Sequence, residues 1–98
     1  MSAGSPSAPR WSLALTVDPA GVVEAMPKDL QRAVLLFLQA LVIETGGAVE
    51  AGKPAPGSPL DDAGLRYSVL VPGEPVIVEY LVVPVAREVR IPTLVWMH

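Results

Sequence analysis

Few side chains in this sequence can do chemistry, and their types set narrow limits on what that chemistry is. His98 is the only histidine and there is no cysteine. No histidine pair can bind a metal or run a proton relay, and disulfides, thiolate ligands and cysteine nucleophiles are absent. Asp61 and Asp62 are half of a metal site at most, and an isolated acidic pair in a loop is ordinarily just solvated. What remains is a scatter of arginines and phenols: Arg66 beside Tyr67, then Tyr80, Arg87 and Arg90. Arginine stabilises developing charge on a phosphate and histidine titrates near neutrality, so this set with His98 holds the ingredients of a phosphate clamp and a general acid or base. Each has an ordinary reading as well. Arg66 can face solvent while Tyr67 packs on a helix, Tyr80 can be core with its hydroxyl satisfied, and a terminal histidine is often mobile. No self-sufficient catalytic or metal motif is present, and no cofactor is implied.

The elements that must position these residues are three β-branched runs over 65–97. The first, 65–71, is closed by Pro72, Gly73, Glu74 and Pro75, a turn in which proline fixes φ and glycine allows φ above zero. The second, 76–83, places Val76, Val78, Tyr80 and Val82 on one face and Ile77, Glu79, Leu81 and Val83 on the other. With only Glu79 charged, both faces read as covered and the strand as central. Pro84 ends it, Arg87 and Glu88 mark a turn, and 89–97 returns with Pro92 inside it, which predicts an edge or a bulge there.

Upstream, 1–10 is small, polar and proline-containing, the composition of a disordered tail, and 11–98 suits a single domain. Trp11, Leu13, Leu15 and Val17 alternate with small or polar residues, which predicts a strand over 11–17 in the same sheet. Asp18 is placed to cap a short helical turn through Met26. Pro27 suits a first helical position, 28–44 is rich in helix formers, and Gly46 and Gly47 supply a stop, giving a helix of roughly 27 Å. Leu30, Val34, Phe37, Leu38 and Leu41 make its core stripe. Leu35 and Val42 lie on the other side, so the helix carries more apolar surface than one-sided packing needs, and they are candidates for a partner interface. Trp96 joins them, because tryptophan is enriched where binding energy concentrates. Residues 47–64, with three prolines and four glycines, read as a long loop. The expected class is α+β: an N-terminal strand, one or two helices, a long loop and a three-stranded antiparallel meander.

Composition narrows the partners. With 51% hydrophobic residues and a mean hydropathy of +0.46, the chain is apolar for its 98 residues, which predicts a surface meant for a partner. The longest apolar run, 33–43, is broken by Gln39 and falls short of the roughly 20 residues of a bilayer span, so no membrane segment is expected. MSAGSPSAPR lacks a basic start followed by an apolar core, hence no secretory signal and, by default, a cytoplasmic protein. A net charge of −3 and a pI near 4.9 give no general affinity for phosphate backbones.

The element order resembles the RelE/ParE superfamily of bacterial toxins. The resemblance is carried by Met26 and Pro27 before the long helix, by Gly64-Leu65-Arg66-Tyr67-Ser68-Val69 in the first meander strand, by 76–80 in the central strand and by 94–98 at the end. They are similar to that family's leucine-proline helix start, its G-x-RYRV strand, its strand ending in V-I-Y and its last strand leading to H-R. The resemblance implies catalytic roles for Arg66, Tyr67, Arg90 and His98, since ribosome-dependent members use basic residues with a tyrosine or histidine to cleave messenger RNA. Two departures bear on activity. Ile77 stands where a central-strand arginine is expected, and the sequence ends at His98 where an arginine and a tyrosine commonly follow. Three functions follow: a toxin-like module with weak or lost ribonuclease activity that acts through protein binding, with an antitoxin-like peptide or itself as partner; an active messenger ribonuclease or gyrase inhibitor; or a non-enzymatic homodimer.

Overall fold

The computed structural model describes residues 10–98, so the expected tail over 1–10 lies outside the described residues except for Arg10. The chain is α+β, with two helices and a five-stranded mixed sheet. Strand β1 (Ser12–Leu15) is followed by α1 (Val17–Ala25), α2 (Lys28–Glu50), β2 (Ser58–Pro59), β3 (Arg66–Leu70), β4 (Val76–Val83), a 3-10 turn (Pro84–Ala86) and β5 (Glu88–Trp96). The sheet order is β1-β5-β4-β3-β2. β1 runs parallel to β5, from Ser12↔Glu88 to Leu15↔Ile91, while β3, β4 and β5 form the antiparallel meander.

The N-terminal strand is therefore in the sheet as expected, but shorter than 11–17, because Val17 already opens α1. Thr16, not Asp18, stands at the helix cap, and its hydroxyl donates to the Ile91 carbonyl at 3.2 Å. Asp18 lies in the first turn, where its charge suits the helix dipole.

The larger correction concerns α2. It runs through Gly46 and Gly47 to Glu50, 23 residues or about 34 Å. Gly46 is a place of close approach and not a stop: a Cβ there would lie 2.7 Å from Trp11 Cδ1. The stop is Gly52, at φ +69°. Its N–H donates to the Val49 carbonyl at 3.1 Å and the Lys53 N–H donates to Ala48 at 2.8 Å, a Schellman closure. By length and apolarity α2 is also the one described helix that could cross a membrane, and 33% of that stretch is buried within the fold.

The core lies between α2 and one face of the sheet. Val34, Leu38 and Leu41 of α2 meet Val76, Val78, Tyr80 and Val82 of β4 and Val89, Ile91 and Leu94 of β5. β4 is the central strand, yet only one of its faces is covered: Ile77, Glu79, Leu81 and Val83 are half-buried. That second face of the sheet is open among the described residues, with Leu70 and Val95 exposed on it.

The turns obey their sequence. Gly73 at φ +76° and the Glu74 N–H donating to Val71 at 3.1 Å make a type II turn between β3 and β4. Pro92 sits at a bulge: β4 advances from Glu79 to Leu81 while β5 moves from Thr93 to Arg90. Within the expected loop, Ser58 and Pro59 pair with Ser68 and Tyr67 as a two-residue edge strand. Gly57, at φ +97°, lets the chain cross there, since a Cβ would lie 2.4 Å from the Ser68 carbonyl oxygen.

Candidate functional site

The open face of the sheet gathers two of the four catalytic candidates. Arg66 of β3 and Arg90 of β5 both pair with Leu81 of β4, one on each side, which puts them in one row about 10 Å apart. Both side chains are about half exposed. Each already has a carboxylate on the same face. Arg66 Nη2 lies 3.8 Å from Glu79 Oε1, and Arg90 Nε donates to Glu88 Oε1 at 2.5 Å. Two cations and two anions cancel, so the row offers no net attraction to a phosphate. Ile77, at the position where the resemblance expects an arginine, lies farther along this face between Leu70 and Val95.

Tyr67 is not part of that row. Consecutive strand residues point to opposite faces, and Tyr67 is buried beneath the sheet, its hydroxyl donating to the Gly64 carbonyl at 3.0 Å. Its ring stacks on Tyr80 with centroids 5.5 Å apart. Tyr80 donates to the Pro56 carbonyl, and burial pushes its phenol up to about 12. Fastened at both hydroxyls, the pair is a core unit.

His98 lies beyond the far end of β5, about 25 Å along the strand from Arg90. Its ring stacks on Trp96 with centroids 4.1 Å apart and Nδ1 lies 3.0 Å from the Trp96 carbonyl oxygen. Trp96 itself is half-buried against the core. The candidates thus divide among three places: an open-face row, the core, and the C-terminal corner. Arg87, the one non-glycine described residue at positive φ, serves the turn before β5 and lies 4.0 Å from Glu50.

Asp61 also has a local duty. Its Oδ1 accepts the N–H groups of Gly64, Leu65 and Arg66 at 3.0, 3.1 and 3.2 Å. Desolvation pulls its carboxyl upward, but these donations and the Arg66 charge outweigh it and hold the group below its ordinary value. Among the described residues no three carboxylates or imidazoles converge as metal ligands would.

The helix side is different in kind. Val42, expected at an interface, is buried, and Leu35 is half-buried. For Val42 the segment 11–13 is the reason: Trp11 packs on Gly46, and Trp11 and Leu13 wall a cleft of about 600 Å³ with Val42, Ile43 and Gly46. The exposed apolar residues are instead Leu36 and Ile43, at 59% and 77%. A second cleft of about 290 Å³, lined by Lys28, Arg32, Leu35 and Leu36, meets the first at Gln39. Neither cleft contains a nucleophile with a base beside it. Searches against protein-family models, curated proteins and solved structures return no match to this chain.

Proposed function

We propose that this chain is a divergent RelE/ParE-like module of a type II toxin-antitoxin system, acting in the cytoplasm by binding protein, with ribonuclease activity weak or lost. The element order, with two helices packed on a meander and β1 lying beside the last strand, supports that origin. One observation carries the loss of chemistry: Arg66 and Arg90 are each neutralised by a neighbouring glutamate and stand apart from Tyr67 and His98. Cleavage through a ribose 2′-hydroxyl requires a base, an acid and a free cation together. Removal of one such stabilising group typically costs about 10² to 10³ in rate.

Expression in a bacterial host, with growth and ribosome-bound messenger followed, tests this reading. Unimpeded growth and intact messenger are expected. Rapid arrest with cleavage in the ribosomal A site, abolished by Arg66→Ala or by deleting His98, would restore the ribonuclease, and arrest without cleavage would point to gyrase. The alternative of a non-enzymatic homodimer is favoured by the exposed apolar stripe of α2.

A further inference from the structure

The outer side of α2 carries a pattern that packing within the chain does not use. Leu36 and Ile43 are exposed seven residues apart, and Ala40 and Gly47, also exposed, flank them at the same spacing. At 3.6 residues per turn the four make one nearly straight stripe, and its small members let a second helix approach closely. Charge on one flank of it is segregated. Lys28 and Arg32 stand near the N-terminal end and Glu50 at the C-terminal end, all three exposed and, at 100° per residue, on the same flank. On this flank the order opposes the macrodipole of the helix, which favours acids at its start and bases at its end, although Asp29 in the first turn suits it. An antiparallel neighbour of the same sequence would reverse it.

We propose that α2 docks antiparallel on α2 of a second copy of this chain, about a two-fold axis passing between Gln39 and Ala40. The axis follows from setting Leu36 against Ile43 of the other copy, the arrangement that covers both exposed apolar side chains twice over. Glu50 of the other copy then stands level with Asp29, between Lys28 and Arg32. A two-fold axis preserves the flank, so Glu50 meets the two cations on their own flank, and their attraction outweighs the repulsion from Asp29, which lies close to the stripe at the same level. The two clefts that join at Gln39 lie on either side of the axis, and Leu35 and Leu36 of one copy face the larger cleft of the other, beside Ile43 and Trp11. Electrostatic complementarity therefore selects the antiparallel orientation and the apolar stripe supplies the contact.

The inference stands apart from the toxin-like reading, which the growth assay decides separately. Sedimentation from low to high micromolar concentration is expected to show a dimer. Leu36→Glu and Ile43→Glu alter exposed positions and are expected to give folded monomers, with unchanged circular dichroism. Arg32→Glu is expected to weaken the dimer by about tenfold or more, and Arg32→Lys, which keeps the charge, to leave it within about a factor of three. Because the chain has no cysteine, Gln39→Cys provides a second measurement: a self-disulfide is expected in the dimer, and none from Val85→Cys, which is fully exposed elsewhere. A monomer throughout the range would overturn the proposal and leave the stripe to a different protein. A dimer indifferent to Leu36→Glu and Ile43→Glu, with no cross-link at position 39, would overturn it equally.

Discussion

Tyr80 couples the core to alkaline pH. Its phenol is buried between the Tyr67 ring and the Pro56 carbonyl, and burial raises its pKa from 10.0 to about 12, with Tyr67 and Glu44 acting in the same direction. An acid whose folded-state pKa exceeds its unfolded value holds its proton more tightly when folded. The resulting stability is complete below pH 10.0 and is lost as pH rises toward about 12. At 1.36 kcal/mol per unit the whole effect is about 3 kcal/mol, and about 2 kcal/mol of it is gone by roughly pH 11.5. That is a sizeable part of the 5–15 kcal/mol that typically holds a domain together.

Tyr80→Phe removes the titrating proton and leaves the Pro56 carbonyl without its donor, at a cost of about 1–3 kcal/mol near neutrality. The variant should therefore be less stable than the natural chain at neutral pH and should approach it as pH rises, because only the natural chain loses the phenol contribution. Urea unfolding followed through Trp11 and Trp96 fluorescence at a series of pH values measures this. Titration of exposed lysines is common to both proteins and drops out of the difference. If the two stability curves fall in parallel through the alkaline range, Tyr80 is not the responsive group and the assignment of a buried, hydrogen-bonded phenol is wrong.

Four other outcomes follow from single residues. Gly46→Ala should lower the melting temperature, since the new methyl group meets the Trp11 indole at 2.7 Å, whereas Gly21→Ala, with nothing within 4 Å, should raise stability by about 0.5–1 kcal/mol. Gly52→Ala should cost about 1–2 kcal/mol in urea unfolding, because φ +69° is unfavourable for a residue with a Cβ. Asp61→Ala should lower the urea midpoint at neutral pH. Its folded-state pKa lies below 3.8, so the gap from the natural chain should persist above that value and close as pH falls through the folded pKa.

Much of the fold was legible because local rules and tertiary packing agree. Strand β4 has the limits that its alternation predicts, Gly73 has the positive φ that its turn demands, and Pro92 falls at a bulge. The failures occur where a distant residue overrides a local signal. Gly46 and Gly47 carry the mark of a helix stop, but Trp11 uses the missing Cβ of Gly46, and the helix continues to the other glycine, Gly52. The same approach by β1 buries Val42 and moves the exposed stripe to Leu36 and Ile43. A helical projection cannot reveal which flank a remote strand will cover, although Leu36, Ala40, Ile43 and Gly47 at heptad spacing are visible in the sequence. Separation of Tyr67 from Arg66 was readable in principle, since neighbours on a strand face opposite ways.

The open face shows how a fold of this kind can vary one surface without disturbing its core. Residues that hold α2 to the sheet lie on the covered side: Val76, Val78, Tyr80 and Val82 alternate with the open-side positions and are independent of them. Substitution at an open-side position changes no contact in that core. Ile77 in place of the expected arginine joins Leu70 and Val95 in an apolar row, while Glu79 and Glu88 neutralise the cations in the rows beyond. The two arginines of the face are satisfied by its own carboxylates. A face so balanced presents a chequer of apolar and paired polar groups, which suits contact with another protein surface more than capture of an anion.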